Sequence, residues 1–485
     1  MRLSDLIGTN HHATAIEIRG LASDSRLVGP GFLFAALPGA RANGASFVDS
    51  AIAQGAVAVL AEPGAVATDS GAYVITDSNP RRRLALMAAR FFGQQPRTTV
   101  AVTGTNGKTS TARFAAQIWT ACGKRAGSIG TLGIEGPEGQ LSGSLTTPDP
   151  ISLHESLRRL VDADCDHVAI EASSHGLAQY RLDGVEIRAA AFTNLGRDHM
   201  DYHATERDYF AAKLRLFSEV LRRDGTAVLN ADSSWLPALR AACESRGIAV
   251  LTYGTADDAD IRIGEFASDT RGQTFRLTYG GRTERVLLPL FGSFQVANAV
   301  AAGLLTHATG TPWPKVLEAL GHVRGVPGRL QLAGELPNRA RVFVDYAHTP
   351  DALAAVLRAL RSHAKGRLLV VFGCGGDRDR GKRRAMGRIA GAFADIVLVT
   401  DDNPRTEHPA AIRSEILSGC PGAQEIGDRR DAIERAVALL EAGDVLVVAG
   451  KGHESGQIVG TEVRPFDDVK VVASALCRRR PRGDA

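Results

Sequence analysis

The segment "TTVAVTGTNGKTSTARF", Thr98 to Phe114, passes from an apolar strand pattern through a glycine turn into a helical pattern. Such a turn cradles phosphate. Glycines at 104 and 107 let backbone N–H groups face an anion, Lys108 adds a point charge, and the Thr109 hydroxyl is placed to ligate Mg2+. Thr105, Asn106 and Ser110 complete the candidate phosphate loop. Its spelling departs from G-x-x-x-x-G-K-S/T, because counting back from Gly107, Lys108 and Thr109 puts Val102 where the first glycine belongs. The glycine turn is correspondingly shorter.

Magnesium takes oxygen ligands and retains several waters, so Thr109 alone makes no site. Glu171, ending "HVAIE", is the best second ligand, a helix cap or solvated carboxylate being its structural alternative. "NLGRDHMDYH" packs Asp198, His199, Asp201 and His203 into six residues. His199 and His203 could chelate zinc from one helix face, but Met200 stands where H-E-x-x-H needs glutamate, so zinc hydrolysis is a minor reading. One of the two histidines is expected to be structural, with His199 nearer the metal.

These residues need strands that end at them. "DHVAIEASS", "AAAFTNLG" and "GTAVLNADS" are strand-like runs closing on small or polar residues, with helical stretches between. The alternation predicts a mostly parallel sheet with helices on both faces and ligands at the carboxyl ends of its strands. Before it, residues 1–92 hold short apolar runs that predict a small α/β domain, closed by an alanine-rich helix that Pro96 is expected to stop. After "VRGVPGRLQL" come "RVFVDYAHTP", "RLLVVFGCGGDRDRGKR", "DIVLVTDDNPRTEHP" and "DVLVVAGKGHES". They predict a Rossmann-like α/β domain at 326–485 with four functional loops at one edge, leaving 93–325 as the central domain. A dinucleotide reading of "GCGGDR" is weak, since Arg378 occupies its sixth position.

A length of 485 residues suggests three domains at a prior of ~150 residues each. Hydrophobic residues at 44% and charged residues at 23% are globular values. The net charge is only +4, with basic residues dispersed outside "GDRDRGKRR" and "CRRRPRGD", so no nucleic-acid partner is expected. Six cysteines without C-x-x-C spacing suggest neither a disulfide framework nor a zinc ribbon, and fit a reducing cytoplasm. No apolar run approaches the ~20 residues of a membrane span, so a cytoplasmic protein without membrane association is expected.

Together, "TGTNGKTS", "EASSHGL", "NLGRDHMDYH" and "YFAAKLRLF" resemble the Mur ligases, ATP-dependent amide-forming enzymes of peptidoglycan synthesis. In that family the shorter loop S/T-G-T-N/K-G-K-S/T is the normal form, which makes Val102 the last strand residue. The resemblance covers nearly the whole chain. It implies three domains that bind the UDP-sugar, ATP and the incoming amino acid in turn; a monomer working on small molecules is expected. The implied reaction begins with phosphoryl transfer from ATP to a substrate carboxylate. An amine then attacks the acyl phosphate, leaving an amide, ADP and phosphate.

By similarity, Thr109, Glu171 and His199 would hold Mg2+ while Lys108 neutralises the phosphates. Lys213, in "YFAAKLRLF", matches the family lysine that carbon dioxide carbamylates, which turns a cation into an oxygen ligand. Taken alone it reads as a solvated helix lysine. Asn298 in "GSFQVANAVAA", Arg329 in "VPGRLQ", and Asp345 and His348 in "VDYAHTP" match residues around the nucleotide. A buried amide at Asn298 needs a partner, which adenine or ribose would supply.

The stretch "LASDSRLVGPGFLFAALPGARANGASFV" resembles the uridine-binding region of the tripeptide-forming members, with Ser23, Ser25, Ala40, Arg41 and Ala42 at the nucleotide. Thr146, Thr147, Ser173, Gln179 and Arg181 match contacts to the muramoyl dipeptide of UDP-MurNAc-L-Ala-D-Glu. Asp402, Asn403, Pro404 and Arg405 spell "DNPR", which resembles the signature of members that add meso-diaminopimelate rather than lysine. Diaminopimelate carries an extra carboxylate that a forked guanidinium binds bidentately, and lysine has none. Arg378, Gly450 and Glu454 fit the rest of that pocket, Glu454 suiting the distal ammonium. Ser455 and Gly456 depart from the bulkier or acidic residue usual after "KGHE". The rivals are a lysine-adding member, disfavoured by Arg405, and a folylpolyglutamate synthase, disfavoured by the uridine-type first domain. A non-catalytic scaffold would have to lack Lys108, Glu171, His199 or Lys213, and all are present.

Overall fold

The computed structural model describes residues 1–8, 16–39, 42–67, 70–141, 145–269 and 271–479. Three principal sheets organise them. In the first, strands Gly20–Ala22, Phe32–Ala35, Ala56–Ala61 and Tyr73–Thr76 lie parallel in that order. Helix Pro80–Phe92 follows, with Asn79 as its cap and a proline in its first turn, where the missing N–H costs no hydrogen bond. It buries Leu84, Met87 and Ala88 among the apolar side chains of that sheet. The expected stop at Pro96 is pre-empted by Gly93, whose φ of +74° ends the helix before the proline is reached.

Eleven strands form the central sheet. Its middle is parallel, in the order Ala249–Gly254, Thr226–Asn230, Ile187–Phe192, Thr98–Thr103, His167–Glu171 and Ala126–Gly130. Antiparallel hairpins finish both edges. Thr98–Thr103 is buried on both faces: Val100 and Val102 pack with Phe114 and Val296, and Ala101 with Leu153 and Leu157 on the other side. The strand runs on through Thr103, so Val102 is its last residue but one. From this strand the chain crosses to one side, to Ala126–Gly130, and later returns on the other, to Ile187–Phe192. That makes the carboxyl end of Thr98–Thr103 a topological switch point, where open α/β sheets leave a ligand crevice.

The third sheet has the order Gln331–Glu335, Arg341–Asp345, Val445–Ala449, Leu368–Phe372, Ile396–Val399 and Gln424–Glu425, with only the first strand antiparallel. Because four neighbouring strands are parallel, the loops "YAH", "GKGHE", "GCGG" and "DDNPR" emerge side by side at one edge. A small hairpin, Gly456–Val459 with Glu462–Pro465, adjoins them. The α/β alternation in the sequence is thus what the chain folds into. Among the described residues, no helix is long and apolar enough to cross a membrane, and all six cysteines are unpaired.

Candidate active site

The loop from Thr98–Thr103 into helix Lys108–Ala121 turns through Gly104 at φ +143° and Gly107 at φ +87°. A Cβ on Gly104 would stand 2.0 Å from Thr193 Oγ1, and one on Gly107 would stand 2.3 Å from Asn298 Oδ1. Both positions need glycine for space as well as torsion. The loop is braced from the end of Ile187–Phe192: Asn106 N–H donates to Asn194 Oδ1 at 3.0 Å, and Thr193 Oγ1 donates to Asn106 O at 2.6 Å. Thr105 Oγ1 is tied to Gly196 and to the Tyr209 hydroxyl. Lys108 Nζ folds back over the loop, donating to Gly104 O at 3.0 Å and Thr105 O at 2.8 Å. Burial lowers its pKa, which Glu171 and Asp198 oppose.

Thr109 Oγ1 donates to Glu171 Oε2 at 3.0 Å, so the two proposed oxygen ligands touch. Thr131 holds the carboxylate from behind, its N–H on Oε1 at 2.8 Å and its hydroxyl on Oε2 at 3.1 Å. Gly130 makes room: a Cβ there would lie 2.0 Å from Glu171 Oε1. His199 sits in the left-handed region at φ +54°, and His203 N–H donates to His199 O at 2.9 Å. These histidines therefore share a turn, not a helix, because the helix starts only at Glu206 behind the Thr205/Asp208 capping box. The zinc geometry imagined from their spacing has no helix to display it. His203 is buried against the rings of His175 and Tyr209, whereas His199 faces Asp198 at 3.4 Å. Burial pushes the His199 imidazole down to about 4, with Asp198 opposing. Burial would raise the Asp198 carboxyl, but His348, His199, Lys382 and Lys108 outweigh it and hold it at about 2.

Lys213, on helix Glu206–Arg215, is only 1% exposed. Its Nζ donates to Gly104 O at 2.8 Å and lies 4.4 Å from the Tyr209 ring centroid. Burial, then Lys108, drives its pKa well below the usual lysine value. The helix passes directly into an i→i+5 turn at Leu216–Val220, a feature frequent at functional sites.

The opposite wall comes from the third sheet. Arg329 stacks over Tyr346 at 4.4 Å and donates from Nη2 to Thr109 Oγ1 at 3.1 Å. Asp345 accepts the N–H groups of Leu330 and Ala347, fixing the backbone on either side of the Arg341–Asp345 strand end; burial raises its carboxyl to about 6. His348 Nε2 lies 3.9 Å from Asp198 Oδ2, linking the two walls. A cavity of about 460 Å³ results, lined by Lys108, Glu171, His199, Lys213, Asn298 and His348 among others. Ser110 also lines it.

At the loop edge of the third sheet, Gly375 brings two arginines together: its Cβ position is 2.8 Å from Arg405 Nη1 and 3.9 Å from Arg378 Cγ. Burial and the neighbouring Arg378 charge both lower the Arg405 pKa. Arg405 adopts φ +52°, donates from Nη1 to Gly376 O at 2.8 Å, and pairs through its backbone with Ile458 and Gly460 of the hairpin. Asn403 donates from Nδ2 to Glu454 at 2.9 Å. Gly450, at φ +115°, has its Cβ position 2.6 Å from Asp402 Oδ2, and Pro404 packs by its carbonyl against Gly376.

Residues 17–92, 102–306 and 328–452 match, in turn, the Mur ligase family catalytic domain, the Mur ligase middle domain and the Mur ligase glutamate ligase domain. Over 99% of the chain and the full length of the relative, 51% of residues are identical to a Bradyrhizobium diazoefficiens protein named UDP-N-acetylmuramoyl-L-alanyl-D-glutamate--2,6-diaminopimelate ligase. The chain belongs to the Mur ligase family. A solved structure of a UDP-N-acetylmuramoyl-L-alanyl-D-glutamate--2,6-diaminopimelate ligase is 36% identical, with a TM-score of 0.69 over 95% of each chain. The MurF ligase of Thermotoga maritima in complex with ADP shares the fold at 18% identity and a TM-score of 0.65, covering 96% of this chain and 99% of that one.

In this Mur ligase, Thr146 and Ser173 line the cavity, Thr146 Oγ1 lying 3.0 Å from Thr131 Oγ1. Thr147 is different: its buried hydroxyl donates to Glu171 O at 2.6 Å and accepts Ser173 N–H at 3.0 Å, so it braces the site from within. Ser173 caps helix Ser174–Ala178. Arg181 holds Gln179 Oε1 and Thr147 O. Ser23, Ser25 and Ala42 lie on the first unit, outside the cavity lining, with Ser25 opening a short helical turn. Ala40 and Arg41 lie outside the described residues. The sequence signals for Thr131, Asn194 and Lys451 were present in "IGTL", "TNLG" and "AGKGHES", but only contacts reveal what they hold.

Proposed function

We propose that this Mur ligase uses ATP to join meso-diaminopimelate to UDP-MurNAc-L-Ala-D-Glu, a step of peptidoglycan precursor synthesis carried out in the cytoplasm. The observation that carries the reading is the shared cavity of about 460 Å³, lined by the phosphate loop and Lys213 together with Arg329 and His348. Residues 1–92 would bind the UDP-sugar, 93–325 ATP, and 326–485 the amino acid, with the protein acting as a monomer.

The loop N–H groups and Lys108 would hold the ATP phosphates, with Asn298, Arg329, Asp345 and His348 around the nucleotide. The residues fit a hard cation: Thr109 and Glu171 already present touching oxygens on one wall. Thr109, Glu171, His199 and Lys213 as its carbamate would hold Mg2+, whose chemistry is to neutralise phosphate charge. Lys213 fits the modification too, because a fully buried ammonium resting on one carbonyl and a ring is costly, and a carbamate exchanges that charge for acceptor oxygens. Thr146, Ser173, Gln179 and Arg181 would orient the dipeptide so that its carboxylate takes the phosphoryl group. The amine then displaces phosphate from the acyl phosphate, forming the amide. A carboxylate is a poor electrophile until one oxygen has become a phosphate leaving group, which is why ATP is required.

Arg378 and Arg405 are neighbouring cations whose charges oppose one another, so a ligand with an additional carboxylate is favoured beside them, which favours diaminopimelate over lysine. The test is phosphate release with ATP, Mg2+ and UDP-MurNAc-L-Ala-D-Glu, supplying meso-diaminopimelate or L-lysine separately. Release and tripeptide formation with diaminopimelate alone are expected. Release with lysine would overturn the assignment of Arg405, and silence with both would overturn the reading.

A further inference from the structure

Behind Asn403 and Glu454 lies a buried lysine. Lys451 is 0% exposed, immediately after Gly450 at the end of strand Val445–Ala449. Its Nζ donates to Asn403 Oδ1 at 2.8 Å and to Glu454 Oε2 at 3.3 Å. Asn403 Oδ1 also accepts the Ile458 N–H at 3.0 Å, and Asn403 Nδ2 donates to Glu454 Oε2 at 2.9 Å.

Two donors meeting at one amide atom require that atom to be the oxygen, because an NH2 group cannot accept. The amide is therefore not free to flip. Its second N–H and Glu454 Oε1 have no protein partner among the described residues, and Glu454 keeps about a third of its side chain exposed. Asn403 is thus committed to donating and Glu454 to accepting. A ligand with both a carboxylate and an ammonium needs this division, and a flipped amide would set a carbonyl against the carboxylate. We infer that Lys451 is a positioning residue: it anchors Asn403 and Glu454 so that the amino-acid pocket offers a donor and an acceptor in fixed places. The inference rests on the proposed function in taking the ligand to be an amino acid with both groups.

The test is Lys451→Met in the full-length enzyme, with the KM of each of the three substrates measured. The KM for meso-diaminopimelate should rise roughly 30-fold or more, the range for truncating one member of a buried charged contact. The KM for ATP and for the UDP-sugar should move far less. Adding Asn403→Ala to Lys451→Met should cost much less than Asn403→Ala costs the wild type, since the two act as one unit. An unchanged diaminopimelate KM, or an equal rise for all three substrates, would overturn the inference. A crystal structure of the variant decides the point independently of activity: Asn403 and Glu454 should lose their contact, and both remaining in place would overturn it. Wild-type silence with diaminopimelate would count against the proposed function, not against this arrangement.

Discussion

Arg329 Nη2 donates to Thr109 Oγ1 at 3.1 Å, a contact across 220 positions of sequence that joins the third sheet's entry segment to the phosphate-loop helix. The same guanidinium stacks on Tyr346, so its fork is already aimed at the loop. Arg329→Ala should slow phosphate release by about 100-fold, the usual loss for one donor to developing charge. Arg329→Lys should recover little, because a flexible point charge neither stacks nor forks. Near-wild-type turnover in the lysine variant would show that charge alone suffices.

Gly107 fails as alanine for two separate reasons, its φ of +87° and a Cβ position 2.3 Å from Asn298 Oδ1. Gly107→Ala should weaken binding of a non-hydrolysable ATP analogue by about tenfold or more, since 1.4 kcal/mol of loop strain already costs that much. Asn298→Ala in the same chain should restore only part of it, relieving the contact and leaving the torsion. Calorimetric titration separates the two, and full recovery in the double variant would remove torsion from the account.

Lys213→Ala should abolish ligation, and short-chain carboxylates added to the variant should restore some of it by standing in for the carbamate. Undiminished activity in the alanine variant would sink the carbamate role. Mass spectrometry of the intact wild type before and after acid treatment gives an independent reading, because a carbamate is lost in acid.

Arg405→Ala should raise the apparent KM for meso-diaminopimelate by an amount worth roughly 2 to 5 kcal/mol, as for a buried charged contact that loses one partner. Selectivity against lysine should fall with it. An unchanged KM would relocate the distal carboxylate away from the "DNPR" loop.

Glu407, two positions after Arg405, ties that loop to "GGDRDRGKR". Its carboxylate binds the fully buried Arg383, the Asp377 N–H and Arg380. The Arg383 hydrogen bonds, against the opposing effect of burial, hold its pKa at about 2 rather than 4.5. A depressed carboxyl contributes stability that is present above pH 4.5 and lost as pH falls towards about 2. Thermal melts of wild type and Glu407→Gln should therefore differ at neutral pH and converge across that window. A constant difference at all pH values would show that the charge is not what Glu407 contributes.

What the sequence by itself determined is local. The strand, turn and helix of "TTVAVTGTNGKTSTARF" follow from periodicity and two glycines, and the four loops at one edge follow from apolar runs that each close on Gly, Asp or His. Even there the exact ends were set by neighbours, with Thr103 extending the strand and Gly93 stopping a helix ahead of Pro96. Burial and partner choice belong to the tertiary structure. Lys213 lies on a helix whose pattern reads as solvated, and the phosphate loop packing over it makes it one of the most enclosed cations in the protein. Thr147 reads as a free hydroxyl until Glu171 O and Ser173 N take both of its hydrogen bonds. Lys451 and Asn403 are 48 positions apart, and only the ends of two parallel strands, separated in the sheet by Leu368–Phe372, bring them within 2.8 Å. Periodicity reports which face of an element is apolar, while the identity of a buried polar group's partner depends on where distant strands end.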